Sequence, residues 1–406
     1  MTEHQKGPAV AEMTHITSPA EVDEILRSTD IAADLHNRDS FPLLGGSVLT
    51  LTRTEHLQRR RLEARLFARD ALHISEQSVL LPAVKRRLAA RTALRTDPVD
   101  PVGDDLLVFS RMVLVEMTAR LIGLDGVEDD EQLELLYSCA ERFGEAASVE
   151  WALTDHGEIM AAGLAASDEF VERWFASSYR RRRELLESGA ELPVDLLSLL
   201  LAHAKELDED EVRREAIFFL LASSSTTTHA VPHIASELFA WLENHPDDAA
   251  KLGDVGFIRQ VVNEGLRMHP PVPSLLRRSL RDVTLSTGRH IAEGECLALD
   301  LDAAVRVVEV SGEYPAVFNP YRPMSTGAHP YGFSFGGGPH TCLGRPLATS
   351  TSKTNPDEAA SGSIVVFMLE LMAAGMRLDP RTPPPRRRAD TVADRFESFP
   401  VIFTAL

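Results

Sequence analysis

Apolar residues recur at helical spacing through the first two thirds of the chain. In SPAEVDEILRS, Val22, Ile25 and Leu26 form one stripe, with Pro19 at the first turn and Ser18 at the N-cap position. EHLQRRRLEARLF, DDLLVFSRMVLVEMTARLIGL and DEDEVRREAIFFLLASSSTTTHA carry the same periodicity and predict further helices. Past about residue 272 the texture changes. DVTLSTGRHIAEGECLALDLDAA holds short β-prone runs broken by glycine, which predict strands and turns. Helix returns at SIVVFMLELMAAG, while STSKTNPDEAASGS, residues 350–363, is polar and turn-rich and reads as a surface loop. No internal repeat is visible. The pattern predicts a mainly α fold with a small β region, in one domain over residues 1–406.

Composition narrows the function classes. A chain of 406 residues with 44% hydrophobic and 25% charged residues is long enough for a large core and ordinary for a globular protein. The net charge of −19 argues against wholesale nucleic-acid binding, so no nucleic-acid partner is expected. Local basic patches remain, at Arg59, Arg60, Arg61 and Arg65 and again in YRRRRELLESG, the second read as a solvated helix face. The three cysteines, Cys139, Cys296 and Cys342, are odd in number and far apart, which argues for a reducing compartment rather than a disulfide framework. MTEHQKGPAVAEMTH lacks the apolar segment of a secretory signal, and the longest apolar run, AIFFLLA, is too short to span a bilayer. A cytoplasmic protein without a membrane partner is expected.

One stretch carries chemistry. FSFGGGPHTCLGRPLA sets Cys342 behind three consecutive glycines, with His340 two residues before it and Gly344 two after. Glycine runs serve positions where the backbone takes φ > 0 or approaches something closely. Backbone N–H groups of such a turn, and of a helix starting at CLGRPLA, favour a thiolate, which is a nucleophile or a metal ligand. The plainer alternative is a buried structural cysteine at a glycine hinge.

Phe335, Gly336, Gly338, His340, Cys342 and Gly344 resemble the haem-binding signature of the cytochrome P-450 superfamily, Phe-x-x-Gly-x-x-x-Cys-x-Gly. The resemblance implies that Cys342 is the axial ligand of a haem iron. Other segments agree in order. NEGLRMHPPVP resembles the family's Glu-x-x-Arg pair at Glu264 and Arg267, and FNPYRP supplies Arg322 as the third member of that buried network. EHLQRRRL resembles the helix that offers a histidine and an arginine to the haem propionates, here His56 and Arg60. RRSLRDV resembles the strand that places Arg277 at a propionate, and His340 stands at a further propionate position.

Three departures qualify the match. Only 55 residues precede His56, and THITSPAEVDEILRS resembles the family's second helix, so the fold reads as N-terminally shortened, without the usual opening helix and strands. The active site is then expected to be unusually open, or closed by a partner. The loop at 350–363 interrupts the helix after the cysteine, which is expected to restart near Ser363. The family's oxygen-activating Ala-Gly-x-Asp/Glu-Thr pattern has no carboxylate here. Counting from upstream, Ser225 takes the acid's place and Thr226 the alcohol's; counting back from His245 and Pro246, the places fall on His229 and Ala230. The first count is preferred, and Pro232 predicts a local helix distortion near the run.

The resemblance implies a cytochrome P-450 fold and a haem-thiolate oxidoreductase. It would hold haem b (iron protoporphyrin IX) and perform monooxygenation of a small organic molecule with dioxygen and two electrons. Thr226 and Ser225 are the candidates for proton delivery. A ferredoxin and ferredoxin reductase are the implied electron donors, docking on Arg59, Arg61 and Arg345. The missing acid keeps open a peroxide-using or rearranging enzyme, and the shortened start keeps open a low-turnover haem-binding scaffold.

Overall fold

The long SSSTTT-containing segment becomes the axis of the molecule. The computed structural model describes residues 8–34, 38–93, 101–272, 274–349 and 361–405. In chain order the framework is β1 (Thr14–Ile16), α1 (Pro19–Arg27), β2 (Ile31–Ala33), α2 (Arg53–Glu63), β3 (Val102–Asp105), α3 (Leu106–Ile122), α4 (Asp130–Ala147), α5 (Glu209–Asn244), α6 (Val255–Met268), β4 (Ser274–Ser279), β5 (Cys296–Asp300), α7 (Arg345–Thr349), α8 (Ser363–Ala373), β6 (Met376–Leu378), β7 (Arg386–Arg387), β8 (Phe396–Ser398) and β9 (Pro400–Phe403). The fold is mainly α with small sheets, as the patterning predicts.

Helix α5 runs 36 residues, about 54 Å at 1.5 Å per residue. It starts with a reciprocal cap: Asp208 Oδ1 accepts the Glu211 N–H at 2.8 Å, and Glu211 Oε2 accepts the Asp208 N–H at 2.9 Å. Pro232 lies inside it without ending it, and removes one backbone donor from the ladder. Its two halves belong to different cores. Val212, Ile217, Leu220 and Leu221 pack with Leu136, Cys139 and Phe143 of α4. Val231, Ile234 and Leu238 pack with Phe109 of α3, Val262 of α6 and Phe367 of α8. The polar run 223–229 is the seam between them.

The main sheet has the order β1-β5-β4-β2. β1 lies parallel to β5, pairing Thr14 with Leu297, while β4 lies antiparallel to both neighbours, so Arg277 is flanked by Ala33 and Leu297. The opening segment therefore supplies two strands as well as helix α1, where the sequence reading found helix alone. Each is 3 residues long, too short to show a two-residue alternation. Pro19 begins α1 as expected, but the Ser18 side chain makes no cap bond; its carbonyl takes the Val22 N–H at 2.9 Å instead. The expected loop at 350–363 falls largely outside the described residues, and helix α8 restarts at Ser363 as expected.

A buried ion network ties α6 to the cysteine loop. Glu264 Oε2 accepts Arg267 Nε–H at 2.7 Å, and Oε1 accepts Arg267 Nη2–H at 2.9 Å, Arg322 Nε–H at 2.8 Å and the Asn319 N–H at 3.1 Å. Arg322 spends its remaining donors on the carbonyls of Ser311 at 2.7 Å and Tyr314 at 3.1 Å. Both guanidinium groups share the one Glu264 carboxylate and turn further donors onto backbone carbonyls and the Ser311 hydroxyl, so each buried ion has partners. Ser334 donates to the Leu266 carbonyl, joining this network to the loop that carries Cys342.

Removing one partner leaves the other charges uncompensated, a loss of ~3–5 kcal/mol, which is a large share of a domain's stability. Glu264→Ala is therefore expected to give little soluble protein and a sharply lowered unfolding midpoint in guanidinium. A midpoint equal to that of the unaltered protein would mean that the network contributes little.

Candidate functional site

Two glycines shape the cysteine loop. Gly336 and Gly338 have φ of +63° and +60°, the left-handed region that favours glycine. A Cβ on Gly338 would stand 2.0 Å from the Leu26 carbonyl oxygen, so the end of α1 rests directly on the loop. The Phe335 carbonyl accepts the Cys342 N–H at 2.9 Å, and the Phe335 ring meets Tyr331 edge-on at 4.9 Å. The glycine run thus serves turn geometry and packing. The donors that reach the sulfur come from after the cysteine.

Burial pushes the Cys342 thiol up; the N–H groups of Gly344 and Arg345 and the charges of Arg60 and Arg345 pull it the other way. The side chain has open surface, yet protein surrounds it on every side, so it faces interior space rather than bulk water. A thiol so placed is neutral by itself and becomes a thiolate against a metal cation.

The predicted propionate residues converge. His56 and His340 stack with ring centroids 3.9 Å apart, and Arg60 of α2 donates to the Thr341 carbonyl, next to Cys342. His340 is held down at about 3, by burial first and then by His56, Arg277 and Arg60. His56 is lowered by burial and by Arg60, and Arg60 itself is lowered by burial. Arg277 is wholly enclosed and pushed down to about 10 by burial alone; its Nη1 donates to the Leu276 carbonyl at 2.9 Å. Among the described residues no carboxylate pairs with Arg277. Burial lowers all four groups here, and the arginines depress the two histidines further.

One residue of the predicted docking patch is elsewhere. Arg59 is buried and ion-paired to Glu215 of α5, which also accepts the Val48 N–H at 3.0 Å, so Arg59 is not a surface residue. Glu63 lies beside that pair with both oxygens unpartnered, and burial, then Glu215, push its carboxyl well up. Arg61 is exposed. In the other basic stretch Arg182 is likewise internal, held by Asp195 at 3.1 Å and by Asp125, while Arg180, Arg181 and Arg183 face solvent as expected. Neither internal arginine was legible, because each partner is distant in sequence or on another element.

The Ser/Thr seam splits by direction. Thr226 Oγ1 donates to the Ala222 carbonyl at 2.7 Å, and Ser224 back-bonds to Leu220. Ser223 accepts from Thr118 of α3 at 2.9 Å. Ser225 turns toward Gly144 of α4 and lines a narrow cleft with Tyr137, Glu141, Glu145, Thr228 and His229. Ser225 and Thr226 are therefore neighbours in sequence on different helix faces. His229 also lines the cleft; burial, then Arg395, holds it well below its usual range, and its Nδ1 has no partner.

The residues present fit a haem. Cys342 offers a sulfur to iron; Arg60 and Arg277 offer charge, and His56 and His340 ring N–H groups, to two propionates. Comparison with known proteins agrees. A family model described as Cytochrome P450 matches residues 148–354. A Mycobacterium tuberculosis protein named putative cytochrome P450 137 is 28% identical over 318 residues, covering 74% of this chain and 63% of that protein, so the match spans a little under two thirds of the relative's length. The plant-inducible cytochrome P450-pinF1 of Rhizobium radiobacter is 27% identical over 276 residues, 66% of this chain and 59% of that protein. CYP109E1 from Bacillus megaterium, solved in complex with testosterone, superposes with a TM-score of 0.72 at 19% identity, covering 100% of this chain and 97% of that one, a likeness of fold.

Proposed function

The chain belongs to the cytochrome P450 family, and from that premise we propose that it is a haem-thiolate monooxygenase acting on an apolar or partly polar small molecule. The observation that carries the reading is Cys342 facing interior space beside a buried cationic cluster without a counter-ion. The whole described chain serves as one haem-binding domain, and its three free cysteines suit a reducing cytosol.

When bound, haem b supplies dioxygen activation with two electrons. Every other task falls to side chains. Cys342 gives up its proton and binds through sulfur, with the N–H groups of Gly344 and Arg345 favouring the charged form. His56, Arg60, Arg277 and His340 hold the propionates and so fix the ring's orientation. Arg61 and Arg345 offer positive charge to a ferredoxin-type donor. Thr226 holds a proton on α5, but its donor is turned onto the Ala222 carbonyl, so delivery requires the hydroxyl to swing off that acceptor. Ser225 opens on the cleft lined by Glu141 and Glu145, carboxylates that stand near where the helix itself has none.

Reduced protein under carbon monoxide is expected to give the red-shifted Soret band of thiolate ligation, and Cys342→Ala to abolish it. Survival of the band in that variant would remove the ligand assignment.

A peroxide-driven reaction is the second reading, favoured by the back-bonded Thr226 and by serine at position 225. Thr226→Ala is expected to lower product formed per NAD(P)H consumed and to raise peroxide release. Losing one proton-transfer group costs about 10²–10⁴-fold, and the low end is expected with no carboxylate beside it. Unchanged coupling, with hydrogen peroxide supporting equal turnover, would favour the second reading.

A further inference from the structure

Beyond the cysteine site, α5 carries a second cluster with ligand chemistry. His233 lies seven residues past Thr226, about 10 Å further along the helix. It is 3% exposed. His269 caps the end of α6, its N–H donating to the Gly265 carbonyl at 2.9 Å. Asp394 lies in the connection between β7 and β8 and is 59% exposed at its side chain. Among the described residues, this is the one group of three histidine, cysteine or carboxylate side chains whose ligand atoms all lie within 4.8 Å of one another.

The hydrogen bonds fix which atoms are free. His233 Nε2 is 2.9 Å from the Asp394 carbonyl oxygen, which only accepts, so Nε2 carries the proton and Nδ1 keeps its lone pair. His269 Nε2 is 2.7 Å from Glu237 Oε1, again an acceptor, so its Nδ1 is likewise bare. Those two Nδ1 atoms stand 3.9 and 3.8 Å from the same oxygen, Asp394 Oδ2. The two rings stack, with centroids 4.4 Å apart and planes 23° from parallel, so the two Nδ1 atoms lie side by side near one carboxylate oxygen. A backbone carbonyl and a carboxylate behind two imidazoles is the outer shell that orients histidine ligands at metal centres.

A cation already samples the place. Arg387 pairs with Asp394 Oδ1 at 3.0 Å, and its Nη1 lies 3.1 and 3.2 Å from the two ring nitrogens of His233. Near-equal reach to both nitrogens puts the guanidinium over the ring face, so the in-plane lone pair of Nδ1 stays available. The Arg387 side chain is 43% exposed and its guanidinium lies 3.6 Å over the Phe396 ring, a contact it gives up when a metal displaces it.

We propose that His233 Nδ1, His269 Nδ1 and the Asp394 carboxylate bind a transition-metal dication of the zinc class, with Arg387 as its built-in competitor. Two imidazoles and one carboxylate select zinc-like ions over calcium or magnesium. A tetrahedron with arms of about 2.0–2.1 Å has edges of about 3.4 Å, so the two nitrogen-to-oxygen spacings close by about half an ångström and the stacked rings turn to bring both lone pairs onto the ion. The metal would clamp α5, the end of α6 and the β7–β8 connection together, and would stabilise the folded chain by mass action.

The test uses the haem-loaded full chain dialysed against micromolar free zinc, with bound zinc counted by elemental analysis and the melting temperature followed against zinc concentration. One zinc per chain and a zinc-dependent rise in melting temperature are expected. Asp394→Asn and His269→Gln are expected to weaken binding at least tenfold while melting normally without zinc. Glu237→Gln should weaken it about 10–100-fold as an outer-shell change, and Arg387→Ala should tighten it. Zinc content and melting rise unaltered in Asp394→Asn and His269→Gln would assign the metal to other surface histidines and overturn the proposal, as would no bound zinc in the unaltered chain.

Discussion

Burial of positive charge is the constraint on which the interior depends. A guanidinium taken out of water costs several kcal/mol unless an anion meets it. The chain meets this within itself at several places, Arg38 with Asp34 and Arg182 with Asp195 among them. Arg267 and Arg322 share Glu264, and Arg59 takes Glu215. Arg277 has neither; its neighbour Arg60 adds a second positive charge, while His56 and His340 are held toward their neutral forms. Among the described residues Arg395 is likewise buried without an ion pair, but Arg277 is the one that stands with His56, Arg60 and His340 beside the cysteine loop. The same space is bordered by the one cysteine whose sulfur has open surface.

The architecture delivers both halves of that arrangement. β4 brings Arg277 in from the main sheet, α2 brings His56 and Arg60, and the glycine-framed loop brings His340 and Cys342. Gly338 admits the end of α1 against that loop, so the first helix of the chain buttresses the cysteine. Above them α5 passes from one apolar core to the other, and only at that seam does it carry a polar run. Ser224 and Thr226 are satisfied by helix carbonyls, so those two hydroxyls are kept in the interior at little cost and are available once a bond is exchanged, while Thr228 Oγ1 is buried without a partner among the described residues.

Much of this was legible where chemistry requires fixed spacing. The Glu264–Arg267–Arg322 network was legible through resemblance to the family's motifs, since the spacing of Glu264 and Arg267 by itself reads as an ordinary surface pair, and His56 and Arg60 do stand with His340 beside the cysteine loop. What was illegible depends on partners far away in sequence. Arg59 sits next to Arg60 but turns inward because Glu215 waits 156 residues later. Ser225 and Thr226 are adjacent, yet about 100° of helical rotation sends one toward Gly144 and leaves the other bonded to Ala222. β1 and β2 are too short to leave a pattern, and their pairing is set by β5 and β4 near residues 277–299. The His233, His269 and Asp394 grouping has no motif spacing, since each member comes from a different element.

The central claim is that the unmatched cations are completed by the carboxylates of a haem, and it is tested most directly by removing those carboxylates from the ligand. The rate of haem transfer to an excess of a high-affinity acceptor protein can be compared for iron protoporphyrin IX and for its dimethyl ester, in which both propionates are neutral. Charge-assisted hydrogen bonds contribute about 1.5–3 kcal/mol each, so the account predicts that the ester is lost at least ~100-fold faster. Equal retention of the two would contradict it, because Arg277 and its neighbours would then hold no anion.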